Sequence, residues 1–277
     1  MAFPPLVGSP LSGFTEQREA FEEKEGNVGA PAGIDWEWAT RTGGTLSGAQ
    51  HRQLAVELAR TLPKLSGAQL KRVLGRHGTG RLEFAGLRVP DSKLAKAAET
   101  EARESLSIHL LEHSYRTYFF GRVLAELDSI RYDDELVYVA CLLHDLQLES
   151  PTPGRCFAVT GGERAAAFAA REGADPERAQ EIGAAIAAHI TPGVANDLSD
   201  PGGFVSAGAS VDVIGARFPE LAPDWVTQLL QRHPRHDAKR HLIAAFKAEA
   251  EAVPKGRTAL LNSVGFLQLV RMAPYSE

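Results

Sequence analysis

The sequence contains little cysteine, and this scarcity excludes two common kinds of small-domain architecture. Cys141 and Cys156 are the only cysteines among the 277 residues. Two cysteines do not make a disulfide framework, and these two lie too far apart in sequence for a zinc knuckle. Cys141 falls within an apolar run, so we predict that it fills space in the core.

The chain also lacks an excess of positive charge and any long apolar run. Its formal net charge of −5 gives no electrostatic footprint for nucleic acid or for an anionic membrane. No apolar run approaches the roughly 18 residues of a membrane-spanning helix, and the first residues lack the basic start of a signal peptide. We expect a cytoplasmic protein whose partner is a small-molecule substrate. A homo-oligomer is compatible with the sequence.

Helical patterns dominate what is present. Residues 1–47 are rich in Gly, Pro, Ser and Thr and predict an extended arm or a loosely packed lead-in, while residues 50–74 predict two helices separated by Pro63. Residues 81–89 fit a short strand or an extended connection. Almost everything after Asp91 has helical period, and strand patterns are nearly absent. We therefore predict an all-α fold, with a mostly helical N-terminal extension at 1–90 and a multi-helix bundle at 91–277.

Capping residues and apolar faces predict the individual helices of the bundle. Asp91 predicts one helix start, and Asp175 followed by Pro176 predicts another. Segment 111–127 carries one broad apolar face, formed by Leu111, Tyr115, Tyr118, Phe119 and Val123. Further helices are predicted in segments 133–146, 161–173, 208–215, 224–233 and 240–253.

Polar residues interrupt these apolar helices at His113, at the adjacent pair His144 and Asp145, at His189 and at Asp212. A single histidine on a helix face is more often structural than a ligand. A carboxylate in the apolar phrase ASVDVIG is harder to explain, because burying it is costly unless it is paired or bound to a cation. A divalent metal would explain all of these positions together, since imidazole and carboxylate are its natural ligands.

In this order, the polar positions make the sequence resemble the HD superfamily, a group of all-α metal-dependent enzymes dominated by phosphohydrolases. The phrases EHSYRTYFFG, ACLLHDLQL, AAHITPG and SAGASVDVIG are most similar to its cyanamide-hydratase-like branch, over roughly residues 91–270. The resemblance implies an HD-type bundle in which one divalent metal is held by His113, His144, Asp145 and Asp212. That metal is zinc in the branch, whereas other members of the superfamily hold iron or manganese.

The resemblance also implies a reaction, that of a metal-dependent hydro-lyase or hydrolase. A water activated by the metal would attack the carbon of a nitrile-like substrate, as in the hydration of cyanamide to urea. His189 is expected above the site, where it would donate a proton to the nitrogen. Asp145 is expected to act in catalysis as well as in metal binding.

The sequence departs from this branch close to the His-Asp pair. Gln147 stands where the branch usually has glycine, and Ala158 and Thr160 replace carboxylates. A side chain at position 147 would narrow the pocket or offer an amide to the substrate. We expect Gln147, Arg116 and Glu163 in the substrate pocket, with Glu163 partly compensating for the missing acids. For Arg116, a role as the partner in a buried ion pair is as compatible with the sequence as a role in binding substrate.

Two other functions stay open at this point. A phosphohydrolase acting on a nucleotide or phosphomonoester would need cations near the metal, and Arg116 and Arg164 are the candidates. A metal-bearing regulatory module that has lost catalysis would explain the departures beside the motif.

The remaining histidines predict no site: His109 is expected in the core or on the surface, and the cluster at 233–241 is expected in a solvated turn.

Overall fold

The computed structural model describes residues 33–73 and 77–277 and confirms the all-α prediction. Within these residues there are three short 3-10 turns, two isolated β-bridges and no extended strand. The α-helices are α1 (Trp36–Thr42), α2 (Gly48–Val73), α3 (Lys93–Ser105), α4 (Ile108–Leu127), α5 (Asp134–Leu143), α6 (Phe157–Arg171), α7 (Pro176–Ala188), α8 (Pro201–Ile214), α9 (Pro223–Arg232), α10 (Ala238–Ala252), α11 (Arg257–Ser263) and α12 (Phe266–Met272).

The N-terminal part differs from the expectation in two ways. Of the arm expected at 1–47, residues 1–32 lie outside the described residues, and positions 36–42 form helix α1 rather than extended chain. Helix α2 runs without a break from Gly48 to Val73, so Pro63 does not separate two helices. A proline removes one backbone hydrogen bond, and the bonds on either side can carry a long helix past it. The division between an extension and a bundle at residue 90 stays a prediction.

Two predicted helix starts are confirmed by their caps. Asp133 accepts a hydrogen bond from the amide of Leu136 at the start of α5, and Asp175 accepts one from the amide of Arg178, with Pro176 in the first turn of α7. Other starts differ from the prediction: the capping side chain of α3 is Ser92 rather than Asp91, α6 begins at Phe157 instead of residue 161, and α8 begins at Pro201 instead of residue 208. Segment 81–89 is neither strand nor fully extended, since it contains a 3-10 turn at Phe84–Gly86.

Helices α4 and α8 form the centre of the bundle and cross at unusually short range. A Cβ added at Gly208 of α8 would lie 2.1 Å from the carbonyl oxygen of Thr117 on α4. A Cβ added at Gly121 of α4 would meet the Phe204 ring at 2.4 Å. Glycine at these two positions allows the backbones to touch. The apolar face predicted for 111–127 is confirmed, because all five of its residues are buried.

Two apolar clusters hold the helices together. The larger one fills the bundle formed mainly by α3 to α9, and includes Tyr118, Phe120 and Trp225. The second joins α1 and α2 to the C-terminal helices through Trp38, Phe157 and neighbouring apolar side chains. No helix in the described ranges is both long enough and apolar enough to cross a membrane.

Candidate metal centre

Three helices bring the predicted polar residues to one buried place. His113 lies in the second turn of α4, His144 and Asp145 follow directly after α5, and His189 follows directly after α7. The exposed fraction of each residue is 6% or less. Helix α5 ends at Leu143 and the chain turns there, so the two consecutive side chains His144 and Asp145 can face the same space. The fold therefore brings together four residues that are up to 76 positions apart in the sequence.

Each of the three imidazole rings is anchored through its Nδ1 atom. His113 Nδ1 lies 2.7 Å from a carboxylate oxygen of Asp212, His144 Nδ1 lies 2.8 Å from the carbonyl oxygen of Cys141, and His189 Nδ1 lies 2.6 Å from that of Ile186. Carbonyl and carboxylate oxygens accept hydrogen bonds, so Nδ1 carries the proton in each ring. In the neutral ring, Nε2 is then left with a free lone pair.

The Nε2 atoms face one another around the Asp145 carboxylate. His113 Nε2 and His144 Nε2 are 3.3 Å apart, and they lie 3.6 Å and 3.4 Å from Asp145 Oδ2. His189 Nε2 lies 3.8 Å from Asp145 Oδ1. Lone pairs and a carboxylate at these distances repel one another unless a positive charge stands between them. His113, His144 and Asp145 form a group that could hold a metal ion, and this donor set suits a divalent cation.

Burial favours the neutral form of two histidines of this cluster, His144 and His189. It lowers the pKa of His144, against the opposing attraction of the Asp145 carboxylate. It also lowers the pKa of His189 well below the usual value, and neighbouring His144 adds to the effect. Because a metal binds the unprotonated nitrogen, neutral rings with a fixed Nδ1–H are ready to act as ligands.

The structure differs from the expectation at Asp212, which lies behind His113 and outside this group. Both of its oxygens are engaged by donors. Oδ1 accepts from Arg116 Nε at 2.8 Å and from Arg235 Nη1 at 2.6 Å, and Oδ2 accepts from His113 and from Arg116 Nη2. Burial alone would raise the pKa of Asp212, but Arg116 and Arg235 outweigh it and hold that pKa well below its usual value. The negative charge of Asp212, for which the sequence suggested a metal ion as the partner, is therefore paired with two arginines in the structure.

Arg235 is the residue of this site that sequence reasoning missed. It falls in the segment expected to be a solvated turn, yet it is 4% exposed and also binds Glu277 through Nε at 3.0 Å. His233 in the same segment does remain half-buried near the surface, where its Nδ1 lies 2.8 Å from Glu112 Oε2. No local pattern marks Arg235, because its partner Asp212 belongs to another helix.

The residues expected in the substrate pocket lie elsewhere. Arg116 is fully buried and is bound to Asp212 and to the carbonyl oxygens of His233 and Pro234. Glu163 pairs with Arg155, with Oε1 2.6 Å from Nη2. Gln147 is half-buried, and neither it nor the other two residues is among those that line the cavity described below. Helix α6 already begins at Phe157, so Ala158 and Thr160 lie in its first turn.

A second group of possible ligands lies on the outer side of α4. His109 Nε2 is 2.7 Å from Glu149 Oε1, and the His109 ring stacks on that of His241 with 3.9 Å between centroids. His109 is buried, which agrees with the first of its two expected places, the core. Glu149 is exposed. The ligand atoms of the three residues lie within 4.8 Å of one another.

A cavity of about 730 Å³ opens onto the buried cluster. His113, His144, Asp145 and His189 all contribute to its lining. Most of the remaining lining side chains are apolar, and they come mainly from α2, α4, segment 190–198 after α7, α8 and the C-terminal helices α10 to α12. The arrangement gives a polar, electron-rich floor within an apolar chamber, which is the usual character of a small-molecule site.

Comparison with known proteins identifies the central part of the chain. No curated protein matches the chain at a significant level. Residues 110–207 match the family model of the HD domain, and this segment contains His113, His144, Asp145 and His189. Proteins with this domain are generally metal-dependent hydrolases, which agrees with the donor set of the buried cluster. Residues 110–207 are thus similar to the HD domain, and this match supports a relation of that segment to the HD superfamily.

Proposed function

We propose that this protein is a metal-dependent enzyme that adds water to an uncharged organic substrate, with hydration of a nitrile-type group as the reaction. The observation that carries the proposal is the set of three anchored imidazoles whose free Nε2 atoms converge on Asp145 at the floor of an apolar cavity. Similarity of the four sequence phrases to the cyanamide-hydratase-like branch supports the nitrile group and favours zinc.

His113, His144 and Asp145 are the proposed metal ligands. A divalent metal held by them would supply a water activated for nucleophilic attack at neutral pH. Asp212 is proposed as a positioning residue, because it fixes the His113 ring through Nδ1 and leaves Nε2 for the metal.

His189 is the proposed proton carrier. Its Nδ1–H is held by Ile186, so the atom that faces Asp145 and the cavity is the unprotonated Nε2. Nε2 can accept a proton from the attacking water and return it to the substrate nitrogen. In the balanced reaction, the water oxygen bonds to the nitrile carbon, the two π bonds of the C–N triple bond are lost in turn, and both hydrogens of water end on nitrogen. Tautomerisation gives the amide, or urea in the case of cyanamide.

Phosphoester hydrolysis is the second candidate, favoured by the HD domain itself. It would need cationic groups free to bind phosphate. Arg116 is committed to Asp212, and Arg164 pairs with Glu101. Among the described residues that line the cavity, Arg217 is the one arginine or lysine, and it binds both Asp128 and Glu220. The charge distribution therefore supports an uncharged substrate.

Metal analysis combined with a substrate panel tests the proposal. We expect about one equivalent of zinc or another divalent transition metal per purified chain, and formation of amide from nitriles or urea from cyanamide. Protein that binds no such metal would overturn the proposal. Phosphate release from nucleotides without any hydration would favour the second candidate. Metal-replete protein that is inert on every substrate would indicate a regulatory module.

Substitution at the cluster gives a sharper test. Asp145→Ala should lose the metal and lower hydration by at least ~100-fold, since even residues that only support metal ligands cost about 10–100-fold. His233→Ala is the matched control, because this histidine pairs with Glu112 outside the cluster. Elemental analysis and product formation are measured for both variants. Equal effects of the two substitutions would contradict the assignment of the site.

A further inference from the structure

The cavity above the cluster is far larger than the smallest nitrile substrates require. Its volume of about 730 Å³ is many times the ≈30 Å³ that one molecule occupies in liquid water. Cyanamide would occupy a small part of this volume and leave the rest to poorly bound water. The volume lies within the range of pockets that enclose drug-sized molecules.

One wall of the cavity comes from outside the matched HD segment. Phe246 of α10, Leu261 of α11, and Phe266 and Leu269 of α12 line it, and all four follow residue 207, where the family match ends. Val264 belongs to the same wall and is 48% exposed, so the apolar lining extends to the protein surface. The matched segment supplies the polar cluster and apolar lining residues such as Leu124, Ile190 and Leu198, while the C-terminal helices add this separate apolar wall.

The charges of the lining favour a neutral ligand. Outside the cluster, the charged lining residues in the described chain are Asp128, Arg217 and Glu220. Arg217 binds Asp128 at 2.7 Å and Glu220 at 2.6 Å, so these charges satisfy one another. The face of α8 in the cavity carries the hydroxyl groups of Ser206 and Ser210 beside Val213. Thr191, Asn196 and Thr258 add further uncharged polar side chains, and most of the remaining lining is apolar.

We propose that the substrate is an uncharged nitrile with an extended apolar body, whose nitrile group lies at the His-Asp cluster and whose body lies along the wall formed by α10 to α12. This inference rests on the proposed function for the reaction, but its binding part is independent of turnover. The wall determines specificity, because each methylene buried against it adds transfer free energy that cyanamide and acetonitrile cannot gain.

Binding of a homologous series tests the proposal without turnover. Linear primary amides from acetamide to octanamide, which correspond to the products, are titrated into the purified protein by calorimetry. We expect affinity to rise by about fourfold per added methylene, the factor that corresponds to ≈0.8 kcal/mol. Affinity that does not change with chain length would overturn the proposal. If octyl phosphate binds as tightly as octanamide, the proposal that the site selects an uncharged ligand is overturned.

A pair of leucines on the same helix provides the matched control. Leu269 lines the cavity, whereas Leu267 is similarly half-buried on α12 and does not line it. Leu269→Asn should lower octanamide affinity by roughly 15-fold relative to acetamide, the value for about two methylene contacts, while Leu267→Asn should retain the rise with chain length. Equal behaviour of the two variants would contradict the placement of the apolar body.

Turnover of the matching nitriles separates the two proposals. We expect kcat/KM for amide formation to increase from acetonitrile to octanenitrile in parallel with amide affinity. If amide affinity rises with length but no nitrile is hydrated, the apolar site stands and the proposed reaction fails. If acetonitrile and cyanamide are hydrated faster than every longer nitrile, the reaction stands and the apolar-substrate proposal fails.

Discussion

At the scale of single residues, the hydrogen bonds behind the cluster matter as much as the cluster itself. The acceptors at Cys141, Ile186 and Asp212 fix the tautomers of His144, His189 and His113, and so decide which ring nitrogen faces the cavity. Asp212 differs from the other two acceptors because it is charged. It lies at 0% exposure between two guanidinium groups. One carboxylate thereby links the site to Arg116 and Arg235.

Neutralising Asp212 should therefore damage both stability and metal binding. Asp212→Asn leaves buried Arg116 without its anion and Arg235 with Glu277 alone, for which we expect a loss of about 3–5 kcal/mol in the free energy of unfolding. Metal affinity should fall by roughly 10–100-fold, because the His113 ring loses its charged anchor. Urea unfolding and metal competition measure the two effects.

The same chemical change on Asp200 is the control for Asp212. Asp200 caps α8 by accepting from the amide of Gly203 at 2.9 Å, and asparagine can retain that bond. Asp200→Asn should cost less than about 1 kcal/mol and leave metal affinity unchanged. An Asp212→Asn protein that keeps wild-type metal affinity would show that Asp212 does not position His113.

At the scale of elements, the close crossing of α4 and α8 holds His113 of α4 within hydrogen-bond distance of Asp212 of α8. His113 lies on α4 and its anchor Asp212 on α8, while Gly121 and Gly208 form the contact between the two backbones. A side chain at this crossing would push the helices apart. The 2.7 Å bond between His113 and Asp212 depends on their present separation.

Gly208→Ala should separate these helices. The added Cβ would lie 2.1 Å from the Thr117 carbonyl oxygen, so we expect a loss of at least about 2 kcal/mol in stability together with weaker metal binding. Gly161→Ala in α6 is the control, because its Cβ would meet its nearest neighbour at 3.6 Å. That change should be neutral or stabilise the helix by up to about 1 kcal/mol. Thermal unfolding compares them, and equal melting temperatures would contradict the prediction.

At the scale of the whole molecule, a buried carboxyl group joins the C-terminal helices to the HD segment. Helix α6 has no side-chain cap from its own N-terminal residue, and its Phe157 amide instead donates to Glu249 of α10 at 3.0 Å. Glu249 is fully buried, and burial raises its pKa from 4.5 to about 7. The protonated form is therefore favoured in the folded state more than in the unfolded chain.

This raised pKa predicts how the stability of the fold depends on pH. Between pH 4.5 and about 7, the folded state binds the Glu249 proton more tightly than the unfolded state, so this contribution to stability decreases as the pH rises. The full change corresponds to roughly 3 kcal/mol. Glu249→Gln keeps an acceptor for Phe157 but cannot ionise, so its unfolding free energy should lack this decrease.

Denaturant unfolding between pH 5 and 8 measures the difference between wild type and Glu249→Gln. Glu251→Gln is the control, since Glu251 is an exposed residue on the same helix. The control should follow the wild-type curve, whereas Glu249→Gln should diverge from it with rising pH. Parallel curves for all three proteins would show that Glu249 does not titrate in this range.

The sequence by itself determined the all-α class, the starts of helices such as α5 and α7, and the polar positions of the cluster. These features are local, because helical period and capping act over a few residues, and a His-Asp pair at the end of an apolar helix is visible in the sequence. Pro63 and Ser92 show the limit even of local signals, since a long helix continued past the proline and the serine replaced Asp91 as the cap.

The tertiary structure alone decided which polar residues share an environment. Arg116 and Arg235, rather than the metal group, neutralise Asp212 across 96 and 23 positions of sequence, and neither pairing follows from periodicity. The cavity wall likewise depends on how α10 to α12 pack against the HD segment. Packing and charge compensation act through space, so residues distant in sequence became partners here, while Gln147 and Glu163, near the motif, lie off the cavity.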